Sequence, residues 1–427
     1  MGRRVHDDPG DVHMKVGRAL AGGLLLWLAM PAAAQDNADS HWIAGWAQPM
    51  MSAEEANDAP SADTTVRTQA LVTAGGPRIR LRFSNAFGTE PLLLQQVRAA
   101  DAPQPGRDLI DPASTQAVTF GGSPWVTIPP GADYLSDPVD LPVAAGGMVA
   151  VTFHLPQPAA TLGSVPPGIS FIAPGPVAGD PASLPGGAGH NRLPVLTGVQ
   201  VEAGVCARTI AAIGDSITAH GGGTVTGTDR WTEVLATRLR AEAGTRGWSV
   251  VNLGISGGRV AKAGTGQAAT ARFERDVLSQ PGLATVVVFE GVNDLGKLVR
   301  EEPVTPESRA RVVASVIEGY RQMIARAHDA GVRVVGMTVL PFRDTPTYRS
   351  DAGAEEDRQA LNRWIRQPGN FDAVIDLDPA MTDPARPGYL APAVDRGDGL
   401  HPSAEGQAVL GEAIALAPLS TSMAGCP

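Results

Sequence analysis

From residue 208 onward the apolar residues fall into two alternating patterns. Short, mainly apolar runs at 209–213, 249–253, 285–289, 333–340 and 373–377 have the length and β-branched content of buried strands, and 285–289 is uncharged throughout. Between and after them, 231–241, 309–330, 355–366 and 404–416 carry apolar residues at the spacing of one helix face. Gly331 follows the long helix as a left-handed cap, and Pro402 leads into the last one. Strand–helix alternation of this kind predicts a doubly wound α/β fold, with five main parallel strands and helices on both faces. The stretch 40–200 has a different rhythm. Residues 78–83 alternate strictly, with Ile79, Leu81 and Phe83 on one face and Arg78, Arg80 and Arg82 on the other. Residues 148–153 read as another strand, and Gly-rich turns at 75–77, 121–124 and 146–147 punctuate the region. It is expected to be a smaller all-β, sandwich-like domain. Residues 156–192, rich in Pro, Gly and Ala, read as a long loop or linker.

The N-terminus changes the count. Met14-Lys-Val-Gly-Arg18 is a positive start, 19–30 is a short apolar run, and Ala32-Ala-Ala34 is a small-residue cleavage site before Gln35. Residues 1–34 are therefore expected to be a signal peptide, with translation starting at Met1 or Met14, and the product to be secreted or periplasmic. Removing 34 residues from 427 leaves 393, enough for two domains. They are expected at 35–200, the β-rich accessory part, and 201–427, the catalytic part. With 34 Lys and Arg against 44 Asp and Glu, the net charge is −10. That argues against nucleic acid and against an anionic membrane surface as partners. No later run is apolar enough to span a bilayer, so no stable membrane insertion is expected.

Candidate chemistry is concentrated in the α/β part. Ser216 lies in Ile213-Gly-Asp-Ser-Ile-Thr218, directly after the first strand. A serine hydroxyl is inert at neutral pH and needs a base beside it. Far downstream, Asp398 and His401 are three residues apart, so one turn can place the carboxylate against the imidazole. Between them come Asn252-Leu-Gly-Ile-Ser-Gly257 and Gly291-Val-Asn-Asp294, each following a strand. Ligand sites in such sheets lie at the carboxyl ends of the strands. Taken singly, Ser216 reads as a helix cap and the others as turns. Together they supply a nucleophile, a base, an orienting acid, and oxyanion donors from the Ser216 and Gly257 backbone N–H groups and the Asn293 carboxamide. Asp215 and Asp294 are read as supports that bond loop N–H groups. Of the 8 histidines, His220 is the second candidate for the base.

These motifs resemble the SGNH (GDSL-type) hydrolase family. Its Gly-Asp-Ser-Leu block appears as Gly214-Asp215-Ser216-Ile217, with an isosteric Ile at the last position. Its block-two glycine falls on Gly257, its block-three asparagine on Asn293, and its final Asp and His on Asp398 and His401. Asp229-Arg-Trp231 and Asn362-Arg-Trp364 are also similar to secreted bacterial members. The resemblance is specific over 208–420 and looser over 40–200. It implies a carboxylic ester hydrolase acting through an acyl-serine intermediate, without a cofactor, on an acylated glycan or a small lipid ester. An O-acyltransferase on a glycan and a non-catalytic glycan-binding protein are the alternatives. Trp42, Trp46 and Trp125 would be a sugar platform under the last of these, or else packing residues.

Two cysteines remain. Cys206 precedes the first strand of the sheet, and Cys426 follows a helix that must run back from the His401 side. In an exported chain they are expected to form a disulfide. No His-Glu-x-x-His and no finger-type cysteine spacing occurs, so no metal is expected. Nothing in the sequence sets the oligomeric state.

Overall fold

In the computed structural model, the residues described are 1–2, 40–56, 62–164, 170–179, 181–190, 194–220, 229–420 and 426. The leader expected at 1–34 lies almost wholly outside them. Thr209–Gly214, Ser249–Gly254, Leu283–Phe289, Arg333–Met337 and Ala373–Ile375 form one five-stranded parallel sheet. Numbered along the chain, their spatial order is 2-1-3-4-5. A right-handed crossover places its helix on a face set by the direction of travel across the sheet. The first crossover moves one way and the later ones move the other. Trp231–Ala241 is therefore on one face, where the last helix, Ala404–Ala413, joins it. Pro306–Asp329 and Ala352–Arg366 pair on the opposite face. The sheet is doubly wound, as its strand–helix rhythm implies.

The strands are buried on both faces, which is why they read as continuous apolar runs. Val286, Val287 and Val335 are fully enclosed, as are Leu235, Leu239, Val316 and Met323 from the helices. Thr305 caps the longest helix by accepting from Ser308 N–H at 3.1 Å. At the other end Gly331 takes φ +71°, as a left-handed cap requires.

The chain before residue 205 is antiparallel. One sheet has the order Ser40–Ala47, Leu196–Gly204, Ile79–Ser84, Asp133–Leu135. A second is built around Thr64–Leu71, Met148–Leu155 and Leu92–Asp101. Their inner faces share one core, and Phe83 of the first meets Phe153 of the second edge-on at 5.5 Å. The alternation at 78–83 is thereby explained. Ile79, Leu81 and Phe83 point into the sandwich, while Arg78 pairs with Glu202 and Arg82 with Asp133, both at 2.6 Å.

Residues 156–192 are not one linker. Thr161–Gly163, Ser170–Pro174 and Ala188–His190 are short strands. The first two have remote partners, Thr161–Gly163 against Met50–Ser52 and Ser170–Pro174 against Thr64–Leu71, and the third pairs with the second. Strands this short carry no periodicity to read. The tryptophans do not share a surface. Trp46 is buried in the core, Trp42 lies on the first sheet under the Arg80 guanidinium, and Trp125 is exposed on the second.

Residues 38–427 form one compact unit. Residue 200 falls inside the strand Leu196–Gly204, and the chain passes into the parallel sheet over 205–208. Thr73 Oγ1 both donates to Val250 O and accepts from Val250 N–H at 3.0 Å, fastening the sandwich to the parallel sheet. The Cys206–Cys426 disulfide is formed, with Cα atoms 5.6 Å apart, and ties the C-terminal tail to this junction.

Candidate active site

The site is assembled at the carboxyl edge of the sheet. Thr209–Gly214 runs into a single helical turn, Ser216–Ala219, so the serine sits at the first position of a helix. Asp215 caps this turn by accepting from Ile217 N–H at 2.9 Å. The neighbouring strand holds the turn from the other side. Asn252 Nδ2 donates to Thr218 O at 2.6 Å. A Cβ on Gly254 would lie 2.5 Å from Ala219 N and 2.9 Å from Asp215 O, so only glycine lets the turn approach that strand.

Ser216 Oγ lies 2.8 Å from His401 Nε2, and His401 Nδ1 lies 2.8 Å from Asp398 Oδ2. The two hydrogen bonds form one row across 185 residues of sequence. Asp398 is held by the turn it opens. Its Oδ1 accepts from the N–H groups of Leu400 at 3.0 Å and His401 at 2.8 Å. Its Oδ2 also accepts from Arg396 at 2.7 Å. Partial burial opposes ionisation, but these donors outweigh it and hold the Asp398 carboxyl well below the usual carboxylate range. With the proton on His401 Nδ1, the ring donates to the Asp398 carboxylate and presents its Nε2 lone pair to Ser216.

A cavity of about 400 Å³ opens over this row. Ser216, Gly257, Asn293 and His401 all line it. Gly257 adopts φ +73°, a left-handed conformation that favours glycine, in the loop after the second strand. Asn293 stands in the short helix Val292–Gly296 after the third strand. It is buried, and its Oδ1 accepts from Tyr348 O–H at 2.6 Å. Its Nδ2 has no partner among the described residues. Tyr348 thus fixes Oδ1 as the bonded end of the carboxamide and leaves Nδ2 as the unpartnered donor. Burial raises the Tyr348 phenol well above its ordinary range, so it remains a donor.

Every site residue expected from the sequence is within this edge or directly behind it. Asp294 accepts from Val260 N–H at 3.0 Å and fastens the Gly257 loop. His220 is at the cavity too, but its Nε2 bonds Ser256 Oγ rather than Ser216. Behind the Gly257 and Asn293 side of the cavity lie three buried carboxyls. Burial pushes Asp215 up to about 7, Glu290 up to about 8 and Asp294 up to about 6. Glu290 has an Arg272 guanidinium 3.8 Å away, yet neither carboxyl oxygen has a hydrogen-bond donor among the described residues.

Tyr348, Lys297, Arg300, Arg396 and Glu290 were not singled out from the sequence. Tyr348 follows the fourth strand in a loop with no recognisable motif, and Lys297 and Arg300 look like ordinary surface cations there. In the fold, Lys297 is half-buried and donates to Gly257 O at 3.1 Å. Burial, then the nearby Arg259, lowers its pKa.

The cavity thus sits at the carboxyl edge of a doubly wound α/β domain. Residues 212–409 match the model of the GDSL-like Lipase/Acylhydrolase family, and this part of the chain is a domain of that family. Among solved structures, a GDSL-like lipase from Bacteroides thetaiotaomicron is 21% identical, over 49% of this chain and 87% of that one, with a TM-score of 0.35. An acetylxylan esterase from Geobacillus stearothermophilus is 22% identical, over 50% and 95%, with a TM-score of 0.36. No curated protein matches the chain.

Proposed function

We propose that the protein is a secreted carboxylic ester hydrolase that works through a Ser216–His401–Asp398 triad and an acyl-serine intermediate. The observation that carries this reading is the continuous row Ser216 Oγ–His401 Nε2 and His401 Nδ1–Asp398 Oδ2, at 2.8 Å each, below a cavity with an unpartnered Asn293 Nδ2. Ser216 Oγ attacks the ester carbonyl carbon as His401 Nε2 takes its proton. Negative charge moves to the carbonyl oxygen, where the Ser216 and Gly257 N–H groups and Asn293 Nδ2 receive it. Collapse expels the alcohol, which takes the proton back from His401. Water, deprotonated by the same imidazole, then attacks the acyl-serine and releases the acid. Export is supported by the leader-like residues 14–34 and by a disulfide, which persists in oxidising compartments.

The direct test is the acyl-serine. A fluorophosphonate should add one equivalent to the wild-type protein, and peptide mass spectrometry should find it on Ser216. Ser216→Ala should take up none and should not turn over 4-nitrophenyl acetate, with an unchanged far-UV circular dichroism spectrum. Labelling elsewhere, or an active Ser216→Ala variant, refutes the mechanism.

A further inference from the structure

Among the described residues, the cavity over Ser216 is lined by three cationic side chains, Lys297, Arg300 and Arg396, and by no Asp or Glu. In a chain with 44 acidic and 34 basic residues this is not the average surface. An adjacent cavity on the same helical segment shows the contrast. There Arg259, Lys262 and Arg311 are matched by Asp294, Glu301 and Glu302. Arg259 and Lys262 are paired with Glu301 at 2.6 and 2.7 Å, and Arg311 with Glu302.

The three cations over Ser216 are used differently. Arg396 is already committed to Asp398. Lys297 donates to the Gly257 carbonyl and has no carboxylate partner among the described residues. Arg300 is exposed and has neither a side-chain hydrogen bond nor an ion pair there. Lys297 joins the helix Val292–Gly296, which carries Asn293, to the next helix, Leu298–Glu301, which carries Arg300, and both cations line the cavity together with Asn293. Asp294 and Glu301 act on the half-buried Lys297 ammonium only through space, so an incoming anion can make the direct contact they do not.

We propose that the site is built for esters carrying a negative charge on the acyl or the alcohol part, with Lys297 and Arg300 as the anion-binding pair. This rests on the ester hydrolase reading and narrows it, because it disfavours neutral acetylated glycans and uncharged lipid esters. A charge-assisted hydrogen bond to either head contributes about 1.5–3 kcal/mol, or about tenfold and upward in selectivity. The field of an unbalanced cationic cleft also speeds encounter with an anion at low salt.

The test uses two matched pairs. The acyl-side pair is mono-4-nitrophenyl succinate against 4-nitrophenyl butyrate. The alcohol-side pair is an O-acetylated galacturonate trimer against O-acetylated xylotriose. Wild-type protein should favour the anionic member of at least one pair about tenfold in kcat/KM, which also tells which side carries the charge. Arg300→Gln should collapse that ratio, mainly through KM, and added salt should narrow it. Equal or reversed preference in both pairs, or a ratio indifferent to Arg300→Gln, overturns the proposal even if Ser216-dependent hydrolysis is present. Calorimetric binding of the deacetylated galacturonate trimer against xylotriose needs no turnover. If nothing is hydrolysed, the hydrolase reading falls, and tighter, salt-sensitive, Arg300-dependent binding of the anionic trimer still decides for or against the anion site.

Discussion

Replacing Tyr348 with phenylalanine removes one oxygen atom and isolates the role of a single hydrogen bond. The ring packs edge-on against Phe342 at 6.0 Å, a contact that phenylalanine keeps. What is lost is the 2.6 Å donation to Asn293 Oδ1. That acceptor is buried, and leaving it unpaired costs about 1–3 kcal/mol. The carboxamide can recover the loss by turning over, which would present oxygen rather than Nδ2 to the developing oxyanion. Full loss of an oxyanion donor costs about 10²–10³ in rate, and this is the ceiling set by Asn293→Ala. Tyr348→Phe should therefore lower kcat by about tenfold, with little change in KM, because the interaction acts in the transition state. Stopped-flow turnover of 4-nitrophenyl acetate measures it. In an Asn293→Ala background the same change should cost nothing more, since the group it orients is gone. Wild-type kcat in Tyr348→Phe, or a full independent loss in the double variant, would refute the positioning role.

The remaining expectations concern the row, the buried acids and the disulfide. His401→Ala should come within about tenfold of Ser216→Ala in residual activity, and the double variant should be no worse, as for groups that act as a unit; Asp398→Asn should be milder than either. Asp215, Glu290 and Asp294 have folded-state pKa values raised above those of the unfolded chain. Their contribution to stability is complete below the ordinary carboxylate range, about pH 4, and is lost as pH rises through about 6–8. Asp398, shifted the other way, contributes above about pH 4 and loses its contribution only in stronger acid. Thermal stability should thus decline between about pH 5 and 8, and Glu290→Gln should flatten that decline by a few kelvin in calorimetry; a parallel curve would refute this. The disulfide spans 220 residues and stabilises by about 5 kcal/mol at most in the chain-entropy model. Cys426→Ser should lower Tm, and titration of the denatured, unreduced protein should find no free thiol; two thiols per chain would show the bridge is not made.

What the sequence by itself determined is what local pattern and motif can carry. Trp231–Ala241 is the helix its spacing describes, and the sandwich face of Ile79, Leu81 and Phe83 follows from strict alternation. The strand–helix rhythm implied the doubly wound sheet because a strand enclosed on both faces must be apolar throughout. Ser216, Gly257, Asn293, Asp398 and His401 stood out because each lies in a short motif at a strand end or turn. The tertiary structure alone decided the rest. The strands at 161–163 and 170–174 exist through hydrogen bonds to remote partners, 188–190 pairs in turn with 170–172, and three to five residues hold no readable period. Tyr348 matters only because folding brings it against Asn293, 55 residues away. Glu290 looks like any acid in the sequence, and only its burial, beside Asp215 and Asp294, pushes its pKa up. Lys297 and Arg300 are two of 34 cations until the fold sets them in a cavity with no acidic lining among the described residues. Such effects depend on distance in space and on exclusion of water, which the order of residues does not record.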